Sequence, residues 1–140
     1  MSREHDAPPR HVAAVTSAAA VGGTAAQRDA LTGLPNRVEI LALITDELDR
    51  RTPDRQFSVL LVDIDGFREF NDALGPAQGD SLLCMVAERL LASTRPGDTI
   101  GRLTGDEFVV IARGCHSIAA RALAAGFASI FEPAFELGGR

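Results

Sequence analysis

Residues 99–112, TIGRLTGDEFVVIA, give the strongest indication of the fold class. Residues 99–103 and 108–112 have the length and apolar content of strands, and the polar residues 104–107 between them are typical of a hairpin tip. Long helical patterns lie on both sides of this hairpin. A hairpin between helices argues against a doubly wound parallel sheet. It favours an α/β sandwich with a central mixed, mainly antiparallel sheet flanked by helices.

A further strand is predicted upstream at residues 57–62, where the run FSVLLV is continuously apolar except for one serine. Such a run is typical of a central strand that is buried on both faces. Helical spacing of apolar residues predicts helices at residues 37–51, 67–74, 77–94 and 117–131, the first with Asn36 as its N-cap. Residues 135–137 are predicted to open one more strand.

Composition limits the possible functions of the chain. The 140 residues suffice for one domain, which we place at residues 27–140, while residues 1–26 are small and polar and are predicted to form a flexible arm. Acidic residues outnumber basic ones by 19 to 14, and the net charge of −5 disfavours general binders of nucleic acid or of anionic membranes. All the basic residues are arginine, which excludes a Schiff-base lysine and a Walker-type phosphate lysine.

No apolar run approaches the roughly 18 residues of a membrane span, and the N-terminus lacks the apolar stretch of a signal peptide. We therefore expect a cytoplasmic protein.

Acidic residues follow two of the predicted strands. Asp63 and Asp65 end the run at 57–62, and period-two geometry would put both on one face of the sheet. Asp106 and Glu107 occupy the predicted hairpin tip. Each pair alone could consist of ordinary capping or turn carboxylates. Together they would suit one or two Mg²⁺ ions and phosphoryl or nucleotidyl transfer.

Four segments in the same order and spacing carry a family resemblance. Residues 102–108, RLTGDEF, resemble the signature of GGDEF domains, the diguanylate cyclases, and match four of its five letters. Residues 29–37 (DALTGLPNR), residues 63–72 (DIDGFREFND) and the pair Gly79-Asp80 are similar to further motifs of that family. The resemblance covers residues 29–140.

The chain departs from the family at three places. Thr104 replaces the first glycine of the signature, and Pro76 replaces a common histidine. The family also continues beyond the position of Arg140 through further strands and a helix, so we expect a C-terminally incomplete domain. We expect the 140 residues alone to have little cyclase activity and to associate.

The resemblance implies a fold and a reaction. The fold would be the palm of nucleotidyl cyclases, which is ferredoxin-like. The reaction would join two GTP molecules into cyclic di-GMP with release of two pyrophosphates, with Mg²⁺ or Mn²⁺ as cofactor. Each domain would bind one GTP, so catalysis would need a homodimer. Cyclic di-GMP would be both the product and an inhibitor.

The resemblance also implies roles for particular residues. Asp63, the carbonyl of Ile64, Asp106 and Glu107 would bind the metal, and Asp106 with Glu107 would be catalytic by helping to activate the attacking 3′-hydroxyl. The substrate-binding residues would be Asn71 and Asp80 at the guanine edge and Phe67 and Arg68 near the phosphates. Arg95 and Asp98 would form an inhibitory product site, for which the alternative is an ordinary surface ion pair.

Two other functions stay open. One is a degenerate GGDEF module that binds GTP or cyclic di-GMP and regulates a partner without turnover. The other is a nucleotide-sugar glycosyltransferase with Asp63-Ile64-Asp65 as its metal motif.

Overall fold

The computed structural model describes residues 27–132 together with Phe135 and Leu137. The flexible arm predicted at residues 1–26 lies outside these residues. The elements are α1 (Arg37–Asp49), β1 (Phe57–Asp63), α2 (Phe67–Leu74), α3 (Pro76–Ala92), β2 (Thr99–Thr104), β3 (Glu107–Arg113) and α4 (Ser117–Ala128), followed by a 3₁₀ turn at Ser129–Phe131. Their order and types agree with the sequence-based prediction.

The three strands form one sheet in the order β1-β3-β2, and both pairings are antiparallel. β3 is therefore the central strand of the described sheet, and its residues from Phe108 to Ala112 are buried. The prediction that residues 57–62 form a central strand buried on both faces is wrong for this part of the chain. β1 lies at the edge, and Val59 and Leu61 are 42% and 70% exposed on one face.

Helices cover both faces of the sheet, which confirms the α/β sandwich. On one face, alternate residues of β3 pack against α3 and α4, and this larger core includes Phe108, Val110, Leu90 and Phe127. On the other face, Ile40 of α1 packs against the remaining apolar residues of β3. The alternation of side chains along an extended strand explains why one apolar run serves two cores.

Helix α1 begins as predicted, because the Asn36 side chain accepts a hydrogen bond from the backbone N–H of Glu39 at 3.1 Å. The buried residues of α1 are Ile40 and Glu47, which lie two helical turns apart on the same face. Val38 and Leu41, which helped to predict the helix, are exposed. Helical spacing therefore identified the helix but not the face that enters the core.

Close packing of β2 on α1 requires a glycine at position 101. A Cβ atom there would lie 2.1 Å from Cγ1 of Ile40 and 2.9 Å from the carbonyl oxygen of Pro35. The next residue, Arg102, donates its backbone N–H to that same carbonyl at 3.0 Å. The segment before α1 is thus joined directly to the strand that leads into the RLTGDEF stretch.

The C-terminal residues pack back on the larger core. Phe135 lies under the guanidinium of Arg89, 3.6 Å from its Cζ, and Leu137 is buried. Neither residue lies in a strand, contrary to the prediction for residues 135–137, of which Glu136 lies outside the described residues. Among the described helices, none is long and apolar enough to cross a membrane.

Candidate functional site

Asp63 and Glu107 face each other across β1 and β3. The two residues are register partners at the end of the antiparallel pairing, so their side chains leave the same face of the sheet. The backbone N–H of Ile64 donates to the carbonyl of Asp106 at 3.3 Å, so the two segments remain hydrogen-bonded one residue beyond the Asp63–Glu107 pair. The structure therefore brings together the acidic ends of β1 and β3, as the sequence predicted.

The remaining acidic residues lie in turns rather than in strands. Asp106 occupies the two-residue turn between β2 and β3 and is half-buried, whereas Glu107 already belongs to β3. Asp65 lies in the turn after β1. The expectation that Asp63 and Asp65 share a sheet face is therefore wrong, because β1 ends at Asp63 and period-two geometry holds only within a strand.

The oxygen atoms at this edge suit a hard divalent cation. Two carboxylates directly opposite each other repel, and a bound cation would offset that repulsion. No group of three His, Cys, Asp or Glu residues that could hold a metal occurs in the described part of the chain. The expectation that both acidic pairs surround the ion is therefore not met among the described residues. Proteins usually bind Mg²⁺ through one or two carboxylates, with waters and substrate phosphates filling its other positions.

Thr104 of β2 lies beside Glu107, on the side opposite to Asp63, and is the register partner of Glu107. Its hydroxyl donates to Oε1 of Glu107 at 2.8 Å. No described residue other than glycine has a positive φ. The β-branched Thr104 therefore fits this backbone without the conformational cost that a left-handed position would impose.

The residues expected at a guanine lie where α2 meets α3. Asn71 and Phe67 are one turn apart on α2, and both approach Gly79 of α3: a Cβ atom on Gly79 would lie 1.9 Å from Oδ1 of Asn71 and 3.3 Å from Cζ of Phe67. Asp80 follows Gly79 and is exposed. The structure thus brings Asn71 and the Gly79-Asp80 pair to one corner.

Two glycines shape the approach to this corner. Gly66 has a φ of 75° and leads into α2, where the exposed Arg68 lies in the first turn. Gly75 has a φ of 91° and separates α2 from α3. Pro76 then occupies the first position of α3, where its missing N–H costs nothing.

The Arg95-Asp98 turn is an internally bonded ion pair. Nε and Nη2 of Arg95 donate to the two carboxylate oxygens of Asp98 at 2.6 and 2.9 Å. The backbone N–H of Arg113 donates to Oδ1 of Asp98 as well, and Asp98 is only 1% exposed. The hydrogen bond with Asp98 raises the pKa of Arg95. Asp98 is thus held inside the fold, and Arg95 is the member of the pair that reaches solvent.

Sequence reasoning missed a polar link between the segment before α1 and the hairpin. Asp29 accepts hydrogen bonds from the backbone N–H and the hydroxyl of Thr32 at 2.8 and 2.7 Å. It also pairs with Nη1 of Arg102 at 3.0 Å, and Nε of Arg102 donates to the carbonyl of Gly105. The Asp-x-x-Thr spacing at 29–32 is a turn pattern that could have indicated the first half of this link.

Electrostatics agree with this link. Burial alone would raise the pKa of Asp29, but the hydrogen bonds from Thr32 and the Arg102 guanidinium outweigh it, so the pKa lies below its ordinary value of 3.8. The carboxylate therefore stays charged at neutral pH and holds Arg102 beside the turn that carries Asp106.

A second missed contact joins α1 to β3. The carboxylate of Glu47, 7% exposed, accepts from Nε of Arg113. Nη1 of Arg113 donates to the carbonyl of Gly97 and the hydroxyl of Thr99. A buried glutamate on an otherwise ordinary helix gives no sequence pattern, since its partner lies 66 residues away.

A comparison with protein families finds that the model described as "Diguanylate cyclase, GGDEF domain" matches residues 26–133. Among curated proteins, the bifunctional diguanylate cyclase/cyclic di-GMP phosphodiesterase MucR of Pseudomonas aeruginosa is 48% identical over 91 residues, 61% of this chain and 13% of MucR. Diguanylate cyclase TpbB of the same species is 41% identical over 87 residues, 61% of this chain and 20% of TpbB. The chain thus spans a fifth or less of these two relatives.

Solved structures agree in fold. The GGDEF domain of TpbB, also called YfiN, from Pseudomonas aeruginosa superposes with a TM-score of 0.72 at 32% identity, over 79% of this chain and 66% of that one. A sensory box/GGDEF family protein from Caulobacter crescentus gives a TM-score of 0.71 at 30% identity, over 81% and 75%.

Proposed function

This chain belongs to the GGDEF domain family of diguanylate cyclases, and from that membership we propose that it condenses two GTP molecules into cyclic di-GMP in bacterial second-messenger signalling. In each of two symmetric steps, the 3′-oxygen of one GTP forms a bond to the α-phosphorus of the other. The bond from that phosphorus to pyrophosphate breaks, and the 3′-hydroxyl proton is lost. GTP is a cytoplasmic nucleotide, so we place the reaction in the cytoplasm.

The observation that carries the proposal is the pairing of Asp63 with Glu107 beside the turn of Asp106. Phosphoryl transfer needs negative charge to be neutralised at the reacting oxygens. Asp63, the Ile64 carbonyl, Asp106 and Glu107 would hold one or two Mg²⁺ or Mn²⁺ ions, which when bound would neutralise phosphate charge. Asp106 and Glu107 would be catalytic by helping the attacking 3′-hydroxyl to lose its proton.

The α2–α3 corner would select guanine. Asn71 can present an amide N–H to the guanine carbonyl, and the Asp80 carboxylate can accept from the guanine N–H groups. Arg68 and Phe67 would lie toward the phosphates, where the first turn of α2 adds backbone N–H groups. Because the chain contains no lysine, arginine would supply the positive side chains.

Catalysis would need two copies of the domain. Each copy would bind one GTP and present it to the other, so the complete site would lie between two chains in a homodimer. Cyclic di-GMP would also bind at the Arg95-Asp98 turn and inhibit. The partial exposure of the Arg95 side chain supports it as the ligand contact there, whereas the burial of Asp98 supports a role in holding Arg95.

A second function is favoured by one observation. Thr104 stands where the family signature begins with glycine, and a side chain there occupies space beside Glu107. If that space is needed by the nucleotide, the chain would bind GTP or cyclic di-GMP and regulate a partner without turnover.

The test is incubation of the protein, as its complete gene encodes it, with GTP and Mg²⁺, followed by measurement of pyrophosphate and cyclic di-GMP. We expect both products. We expect Asp63→Asn or Asp106→Asn to abolish them, because each variant removes one of the few negatively charged side chains that would hold the metal ion. Ligand binding without either product would favour the regulatory function. Wild-type rates in both variants would contradict the assigned site.

A further inference from the structure

Thr104 reaches Glu107 because of an irregularity in the hairpin. From Thr99 to Arg102 the register of β2 on β3 is regular, and it then shifts by one residue, so that Thr104 rather than Leu103 pairs with Glu107. An extra residue of this kind is a β-bulge, which redirects the side chains that follow it. Here it places a hydroxyl rather than a leucine opposite the carboxylate.

The result is a polar row across the end of the sheet. Asp63 pairs with Glu107, and Glu107 pairs with Thr104. Glu107 thus has Asp63 as its register partner on one neighbouring strand and Thr104 as its register partner on the other. The hydroxyl donates to Oε1 of Glu107 at 2.8 Å.

This hydrogen bond has a chemical consequence for Glu107. A carboxylate has about four lone-pair positions, so one donated hydrogen bond fixes its orientation and leaves the other positions open. Glycine, with which the family signature begins, has no side-chain donor. The carboxylate of Glu107 in this chain is therefore restrained by a residue that lies outside the expected ligand set.

We propose that Thr104 is a positioning residue that holds the Glu107 carboxylate in its metal-binding orientation through this hydroxyl. The inference rests on the proposed metal site and concerns the affinity of that site for the ion. Hydrogen-bond partners of metal-binding carboxylates change affinity by about 10–100-fold when they are removed. Both side chains are exposed here, and water can replace part of the contact, so we expect the lower end of that range.

The experiment is a titration of the 140-residue chain with Mn²⁺ alone, followed by the electron paramagnetic resonance signal of the free ion. Thr104→Val keeps the shape of the side chain and removes the hydroxyl. Thr104→Gly introduces the glycine with which the family signature begins. We expect both to bind Mn²⁺ about tenfold more weakly than the unchanged chain. Thr104→Ser keeps the hydroxyl and should restore the affinity.

Thr45→Val is the matched control, because Thr45 is an exposed threonine on α1 whose hydroxyl donates to the carbonyl of Leu41 and lies outside the site. It should leave Mn²⁺ binding unchanged. Equal affinity in Thr104→Val and the unchanged chain would overturn the proposal, as would tighter binding by Thr104→Gly or no Mn²⁺ binding by the unchanged chain. Absence of cyclic di-GMP synthesis with normal Mn²⁺ binding would instead count against the proposed function alone.

Discussion

Gly79 sets the space that Asn71 occupies. Because a Cβ atom at position 79 would lie 1.9 Å from Oδ1 of Asn71, we expect Gly79→Ala to displace that side chain and to weaken GTP binding. Overpacking costs about 1–3 kcal/mol in unfolding free energy, and we expect the lower end of this range because the obstructing atom is the end of a side chain that can move. Thermal denaturation and calorimetric GTP titration measure the two effects.

The companion variant is Asn71→Ala, which removes the obstructing oxygen. In that background a Cβ atom at position 79 would still lie 3.3 Å from Cζ of Phe67, so Gly79→Ala should cost less stability than in the unchanged chain, because alanine is favoured over glycine inside a helix by about 0.5–1 kcal/mol. If Gly79→Ala lowers the melting temperature equally in the unchanged chain and in Asn71→Ala, the substitution acts on the helix itself and not through Asn71.

Asp29 should make stability depend on acid pH. Its pKa in the folded chain lies below the ordinary value of 3.8, so the unfolded chain binds more protons as the pH falls. The contribution of Asp29 is present above pH 3.8 and is lost as the pH falls through the folded pKa. We expect Asp29→Asn to be less stable at pH 6, with the difference shrinking below pH 3.8.

Melting temperatures measured between pH 2 and 6 test this. Asp46→Asn is a suitable control, because Asp46 pairs with Arg50 within the same exposed helix face and exposed pairs contribute little. A gap between Asp29→Asn and the unchanged chain that stays constant over this range would contradict the prediction.

The turn between α3 and β2 contributes to stability and is also a proposed ligand site. Arg95→Ala should weaken cyclic di-GMP binding by about 1–3 kcal/mol, the scale of lost charge-assisted hydrogen bonds. It should also lower the melting temperature, because the buried Asp98 would lose its charged partner. GTP affinity should change little, since the substrate site uses other residues.

Calorimetric titration of Arg95→Ala and the unchanged chain with cyclic di-GMP and with GTP measures both affinities. Arg121→Ala, which removes an exposed arginine from α4, controls for the loss of one positive charge. If Arg95→Ala lowers the melting temperature while cyclic di-GMP binds as before, the turn has a structural role only.

The sequence predicted the elements better than their environments. Helix α2 was predicted with its observed bounds, and Asn36 as a cap, because turn residues and helical spacing act locally. The exposed position of β1 and the buried state of Glu47 depend on distant partners, which local patterns do not encode. The same holds within the site: the acidic strand ends were visible in sequence, but the bulge that brings Thr104 to Glu107 was not.

For the chain as a whole, β1 is the strand with the most exposed apolar surface among the three described strands. It lies at the edge of the described sheet and presents Val59 and Leu61 to solvent. Exposed edges with apolar side chains tend to pair with other chains. We expect the 140-residue chain to associate with increasing concentration and Leu61→Arg to reduce this association, as measured by sedimentation velocity.

Ile118→Arg makes the same change at a residue of α4 that is 76% exposed. It should leave the association unchanged. If Leu61→Arg and Ile118→Arg reduce association equally, the added charge rather than the β1 edge controls it. An unchanged chain that stays monomeric at high concentration would contradict the prediction.

The facing carboxylates of Asp63 and Glu107 also imply a trade-off between folding and activity. Like charges at opposite positions of paired strands are unfavourable for folding, and a cation that binds only the folded chain would stabilise it increasingly as the cation concentration exceeds the dissociation constant. The thermal stability of this chain would therefore report on the cation, with a melting temperature that rises as the ion is added.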